Sequence, residues 1–349
     1  MVSRDCLELV CGHLDIDDVL RLAAVNKTMR ATLEQTQLHF AESVSIQNSA
    51  IPQILQKATY DHLIIKTPYI VCSVACCPTS SAIACGTWDG AVYIWDAITR
   101  QKKDFVNQHC GWVTSVAWNS NGCKLASASV DCTVRIWDTI TGQELHTLRG
   151  HTNWVRSVNW SSDGTKLVSG SHDMDVRIWD AATGQVIHVL RGRTEWVKSV
   201  AWSGDNNKVA VGYAFGDIYV CDIHTEQQLL TQFSDSYHDQ SVAWCRKTNR
   251  IAYVCERHNV RIMDADTFQV LQTICGHSSN VFSVAWSPDG SRLVSMAYDM
   301  SIRVWHADTG QELHQFMFTR AAINSVAWSP DGTKIMCATD TTIHIWTLS

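Results

Sequence analysis

The chain has 349 residues, a formal net charge of −6 and a hydrophobic fraction of 46%. That length exceeds one ordinary core and suits a ring of repeats with something small attached. The dispersed acidic balance argues against general nucleic-acid binding, and the sequence offers no run of about 20 apolar residues to span a membrane.

The first residues, Met1-Val2-Ser3-Arg4-Asp5, do not read as a charged-then-apolar leader. The fourteen cysteines are scattered without regular spacing. They are therefore expected to be reduced thiols in a cytoplasmic or nuclear protein. Residues 5–34 carry a helical pattern, with Leu7, Val10 and Leu14 at helical spacing. Asp15 or Asp17 can cap a second helix whose inner face holds Val19, Leu20, Leu22 and Ala23, and a third helix would follow Asn26. Three helices this short bury little surface, so a partner to pack against is expected. The alternative is a helical cap or an oligomerisation segment.

The run Cys6 to Arg30 resembles an F-box. The matching features are its apolar first helix, Leu14-Asp15 before the second, Asp18-Val19-Leu20-Arg21-Leu22 within it, and Val25. Val2-Ser3 and Met29 depart from that pattern. The resemblance implies a module at 1–45 that docks on a Skp-type adaptor, and through it on a cullin scaffold. Leu7, Val10, Leu14, Leu20, Leu22 and Val25 would make the contact. A linker at 46–57 follows.

Beyond the linker the tryptophans carry the organisation. Of the fifteen, eleven fall on two combs with a 42-residue period. The first comb is Trp118, Trp160, Trp202, Trp244, Trp286 and Trp328. The second is Trp95, Trp137 and Trp179, then Cys221 and Met263 at the expected steps, then Trp305 and Trp346. A fixed period of 40–45 residues marks a propeller, in which each repeat is a small four-stranded sheet. Within a repeat, Ser-Val-Ala-Trp opens the first strand, and Ser287-Pro288-Asp289-Gly290 or Ser161-Ser162-Asp163-Gly164 makes a tight turn. Lys166-Leu167-Val168-Ser169 forms a second strand, and Val176-Arg177-Ile178-Trp179-Asp180 a β-rich third. Thr183-Gly184-Gln185 leads into an outer strand.

Seven third strands are expected, and the last repeat lacks a fourth strand of its own. His62-Leu63-Ile64-Ile65 stands where one belongs, so residues 62–65 are expected to complete the last blade and protect its edge. The expected fold is all-β: a seven-bladed propeller over 58–349 with a small N-terminal α-helical module. The region resembles the WD-repeat β-propellers. Their internal tetrad of His, Ser or Thr, Asp and Trp maps onto His109, Ser129, Asp131 and Trp137, and onto His151, Ser171, Asp173 and Trp179. The sixth blade keeps His277, Asp299 and Trp305 but shows Ala297 in the hydroxyl position, and the first shows Thr67, Thr87, Asp89 and Trp95. The last keeps Asp340 and Trp346. The fourth and fifth have lost the set, with Arg193, Tyr213, Phe215 and Cys221, and with Asp235, Cys255, Arg257 and Met263.

Four tryptophans lie off the combs. Trp112, Trp154 and Trp196 each precede a comb tryptophan by six residues, and Trp88 precedes Asp89. In the family these positions face the narrow end of the ring, where partners bind. Arg156 and Lys198 follow two of them, and His172 precedes Asp173. Exposed aromatics with neighbouring cations typify binding hot spots. Trp88, Trp112, Trp154, Arg156, His172, Trp196 and Lys198 are therefore the expected client-binding surface. In F-box/WD-repeat receptors of phosphorylated clients, arginines occupy the positions of Arg156, His172 and Lys198.

Metal and catalytic signals are weak. Of Cys72, Cys76, Cys77 and Cys85 near His62, Cys76 replaces a comb tryptophan and Cys85 matches the small-residue slot of Ser127 and Ser169, and both alternate along strands, unlike a zinc knuckle. No His-Glu-x-x-His, phosphate loop or Gly-x-Ser-x-Gly is present. The expectation is a non-enzymatic interaction protein without cofactor, serving as the substrate-recognition subunit of a cullin-RING-type ubiquitin ligase. The alternative is a WD-repeat scaffold, or a peptide or methyl-lysine reader, with no ubiquitin role.

Overall fold

Short strands rich in Val, Ile and Trp, separated by Asp-Gly and Thr-Gly turns, leave each repeat one way to bury its apolar faces: against the repeats on either side. A computed structural model describes residues 62–103, 109–191, 194–232, 241–256, 258–318 and 323–348. The expected helical module and linker, with Leu7, Val10, Leu14, Leu20, Leu22 and Val25, lie outside the described residues.

The described residues form seven antiparallel four-stranded sheets. Among them the single helical element is a 3-10 turn, Ala214–Gly216. Six blades use four consecutive strands each. Blade three, for example, runs Val155–Trp160, Lys166–Ser171, Val176–Asp180 and Val186–Leu190 from the ring axis outward. The seventh combines Ile323–Trp328, Lys334–Thr339 and Thr342–Thr347 with His62–Lys66 as its outer strand. His62 lies opposite Trp346 and Lys66 opposite Thr342.

Two bonds recur between neighbouring blades. A serine on the inner strand accepts the backbone N–H of the following blade, as from Val116 to Ser73 (3.1 Å), Val200 to Ser157 (3.2 Å) and Val284 to Ser241 (3.2 Å). Val74 to Ser325, at 3.1 Å, closes the circle between the last blade and the first. The first tryptophan comb adds an indole N–H to the previous blade's carbonyl: Trp118 to Ala75, Trp160 to Ala117 and Trp328 to Ala285, at 2.9–3.2 Å. Trp244 departs from this and donates to Asn249 of its own blade. Blade contact is close: a Cβ built on Gly170 would meet Val197 Cγ1 at 2.2 Å.

The second comb works inside the blade. Trp137 Nε1 donates to Ser127 Oγ at 2.8 Å, and His109 places Nε2 on the same oxygen at 2.7 Å and Nδ1 on Asp131 at 2.8 Å. Blade three repeats this with Trp179, Ser169, His151 and Asp173. The expected tetrad serines, Ser129 and Ser171, are therefore corrected to Ser127 and Ser169. Residues two apart share a strand face but sit about 7 Å apart along it, and only the nearer reaches the indole. Ser129 and Ser171 instead donate to the carbonyls of Gly111 and Asn153 and accept the N–H of Asp131 and Asp173. The same shift completes blade six, where Ser295 bridges His277 and Trp305. In blades one, four, five and seven that slot holds Cys85, Val211, Tyr253 and Cys337, so no serine bridge forms there. Arg193, Asp235 and Arg257 lie outside the described residues.

Burial works to raise the Asp131 carboxyl, but the hydrogen bond and attraction of His109, with Thr133, bring it down to about 2. Asp173 and Asp299 follow suit, also at about 2. Carboxyls held below their unfolded value of about 3.9 stabilise the fold fully above pH ~4 and lose that stabilisation as pH falls toward 2. The melting temperature is thus expected to fall over that window in thermal scans. His151→Leu, which removes one partner, should blunt the fall. Ser169→Ala leaves His151 and Trp179 short of a buried partner and should cost about 2–4 kcal/mol by urea denaturation.

Candidate functional site

The inner strand begins where the second strand ends, as with Val155 opposite Ser171. Residues just before the one and just after the other therefore share one face of the ring, here called the upper face. A backbone bond ties each such pair: Trp88 N to Ile70 O, Val130 N to Trp112 O, His172 N to Trp154 O and Ala214 N to Trp196 O, at 2.8–3.0 Å. The tetrad below pins the same turns through Asp131 and Asp173, which also accept the N–H of Cys110 and Thr152.

On this platform the off-comb aromatics meet in a continuous ribbon. Trp88 and Trp112 stack at 4.3 Å and 5° between rings. Trp112 meets Trp154 at 6.4 Å with a 48° tilt. Trp154 stacks on His172 at 5.5 Å and His172 on Trp196 at 4.8 Å. Lys198 Nζ lies 5.8 Å from the Trp196 ring centre. Trp88, Trp112 and Trp196 remain 40–45% exposed, whereas Trp137 and Trp179 of the second comb are at most 1% exposed. Five rings on blades one to four thus present a rigid aromatic strip to solvent.

Inside the ribbon lies a cavity of about 620 Å³ at the upper end of the ring axis. Six inner strands carry the same register irregularity, which singles out Cys72, Thr114, Arg156, Lys198, Phe282 and Asn324. Bulges re-aim side chains, and all six residues line the cavity. Arg156 and Lys198 hence belong to the cavity wall more than to the ribbon. The stitching serines Ser73, Ser115, Ser157, Ser199, Ser241 and Ser325 line it too, as does Ser283 at the same 42-residue step. Residues that the sequence did not single out as binding positions complete it: Tyr298 (61% exposed) and Met300 (47% exposed) beside Phe282, whose ring lies 4.9 Å from that of Tyr298. Phe282 stands three 42-residue steps after Arg156, whereas Tyr298 and Met300 hold only an ordinary turn position.

Among the described residues, Cys72 is the cysteine that lines the cavity. Burial pushes Cys72 up to about 12, and Cys85 and Cys255 likewise. Such thiols are poor nucleophiles near neutral pH. Among the described residues no cluster of three or more His, Cys, Asp or Glu side chains could hold a metal ion.

Comparison with protein families matched the WD domain, G-beta repeat at residues 57–96, 100–138, 142–180 and 184–221. The anaphase-promoting complex subunit 4 WD40 domain matched residues 242–331. A search of curated proteins found no match. Both matches lie outside residues 6–30.

Ribbon and tetrad tryptophans should separate in stability measurements. Trp112→Ala removes one exposed stack and is expected to cost about 1 kcal/mol, against about 3–5 kcal/mol for Trp137→Ala in the core. Similar losses in urea denaturation would assign the ribbon to the core.

Proposed function

Because this chain belongs to the WD-repeat β-propeller family, a fold that typically serves protein interaction without catalysis, we propose that its upper face captures a client protein. The observation that supports this is the ribbon from Trp88 through Trp112, Trp154 and His172 to Trp196. Stacked indoles offer large apolar contact at little entropic cost, because their rotamers are already fixed by one another. Arg156 and Lys198 beside it disfavour a cationic ligand such as a methylated lysine, which would meet like charge.

In the finer form of the proposal the chain is a substrate receptor of a cullin-RING-type ligase. Residues 1–45 would hold a Skp-type adaptor through Leu7, Val10, Leu14, Leu20, Leu22 and Val25, and the propeller would raise the client's local concentration. This part rests on the F-box-like run at 6–30 alone.

Two double substitutions in the full chain test the two halves. Trp112→Ala with Trp196→Ala should weaken client binding at least tenfold in pull-down titration while leaving adaptor binding unchanged. Leu20→Glu with Leu22→Glu should abolish adaptor retention and spare client binding. Absence of any Skp-type adaptor on the unmodified chain would remove the ligase half and leave the interaction half standing.

A further inference from the structure

We infer that the lower mouth of the ring axis binds a small organic monoanion, a flat aromatic body carrying one carboxylate. This site lies at the opposite end of the ring from the ribbon and does not depend on the client-capture reading above.

Each inner strand ends at the lower end of the axis, and a short turn follows it. In blades three, four, six and seven that turn pairs a serine with an aspartate two residues on, as in Ser161 and Asp163. In all four the hydroxyl donates to the carboxylate, at 2.5–2.6 Å. Blade five departs from this: its turn reads Cys245-Arg246-Lys247, so a lysine stands in the aspartate's place with an arginine before it. Arg246 reaches past blade four, and its Nη2 donates to the Trp160 carbonyl of blade three. Gly204 of blade four leaves room for the crossing, since a Cβ there would meet the Arg246 carbonyl oxygen at 2.8 Å. A guanidinium carries five N–H donors. Among the described residues, Nε and Nη1 of Arg246 meet no acceptor, and Lys247 makes no hydrogen bond or ion pair. Burial pulls the Arg246 guanidinium below its ordinary range, and attraction to Asp163 offsets that only in part. Two exposed cations short of a counterion thus stand at the rim of the mouth.

Behind them the walls are apolar. A cavity of about 630 Å³ opens where Trp202, Trp244 and Trp286 end the inner strands of blades four to six. It coincides with the seam that lacks its indole stitch. Trp244 donates to Asn249, so the Ala201 carbonyl misses the indole N–H that Ala243 and Ala285 receive from Trp286 and Trp328. Ala201 lines the cavity. A flat ring with an N–H supplies the missing donor, and a carboxylate on it meets Arg246 and Lys247. Among the described residues that line the cavity there is no carboxylate to compete. Asp163, Asp205 and Asp289 stand on the neighbouring turns and repel a doubly charged group more than a singly charged one. That selects a carboxylate over a phosphate ester. The volume lies within the roughly 300–1,000 Å³ of preformed ligand sites.

The test is isothermal titration of the full chain with indole-3-propionate, its primary amide, propionate and indoxyl phosphate, the last a dianion on the same ring. Indole-3-propionate should bind once per chain with a Kd of about 10–500 μM. The amide and propionate should bind at least tenfold more weakly, and indoxyl phosphate more weakly than the carboxylate. The amide comparison uses the unmodified chain, so it decides the charge requirement even where a variant misfolds. Arg246→Gln with Lys247→Gln should weaken the carboxylate at least tenfold, whereas Arg156→Gln with Lys198→Gln should leave it unchanged. Binding that survives the first pair and is lost with the second would place the anion in the upper cavity and overturn the inference. Equal binding of acid and amide, equal or tighter binding of the phosphate, or no saturation by ~5 mM would overturn it as well. None of these outcomes touches client capture, which Trp112→Ala with Trp196→Ala tests separately.

Discussion

A four-stranded blade cannot stand alone, and everything in this protein follows from how one blade is joined to the next. The join is polar as well as apolar. A serine oxygen takes the neighbour's N–H near the axis, and an indole N–H takes a carbonyl farther down the same strand. Both bonds span 43 residues, one blade plus one position, so each inner strand is set in register by the strand before it. Each such bond contributes about 1 kcal/mol, but a buried unpaired carbonyl or N–H costs more than that. The repeated stitch therefore acts more against misplacement than for raw stability. It also fixes the bulge above it, and so the aim of Arg156, Lys198 and Phe282.

The tetrads serve a second purpose in the same frame. By tying Asp131 and Asp173 to His109 and His151, they immobilise the turns that carry the ribbon. A surface of exposed indoles would ordinarily invite nonspecific collapse. Here the rings are already committed to one another, so a partner meets a shaped strip with little left to order. Rigidity below and apolar exposure above are two ends of the same turn.

Much of the ring could be read from the 42-residue spacing, because a period is a global property that survives local substitution. The tetrad serine could not be placed, since Ser127 and Ser129 lie on the same strand face and differ only in depth. Depth comes from the length of a tryptophan side chain reaching from the next strand, which spacing does not encode. The ribbon's four tryptophans were legible as surplus to the repeat, whereas their stacking with one another and with His172 depended on how far adjacent blades turn. Tyr298 and Met300 carry no sequence signal, because an exposed turn residue gains meaning only from what faces it across the ring. Arg156 and Lys198 were recognised, yet their place on the cavity wall follows from a bulge that no residue type announces.

The borrowed strand has a consequence for synthesis. His62 must wait for His344, 282 residues later, before the last blade can close. At about 5–20 residues per second that interval is roughly 15–60 s. Throughout it, His62–Lys66 has made none of its native pairs and the newest blade always exposes a fresh edge. Until Thr342–Thr347 is delivered the growing propeller is thus an open arc. It becomes a ring only with that strand, so a truncation that removes Thr342–Thr347 releases a protein that never reaches closure.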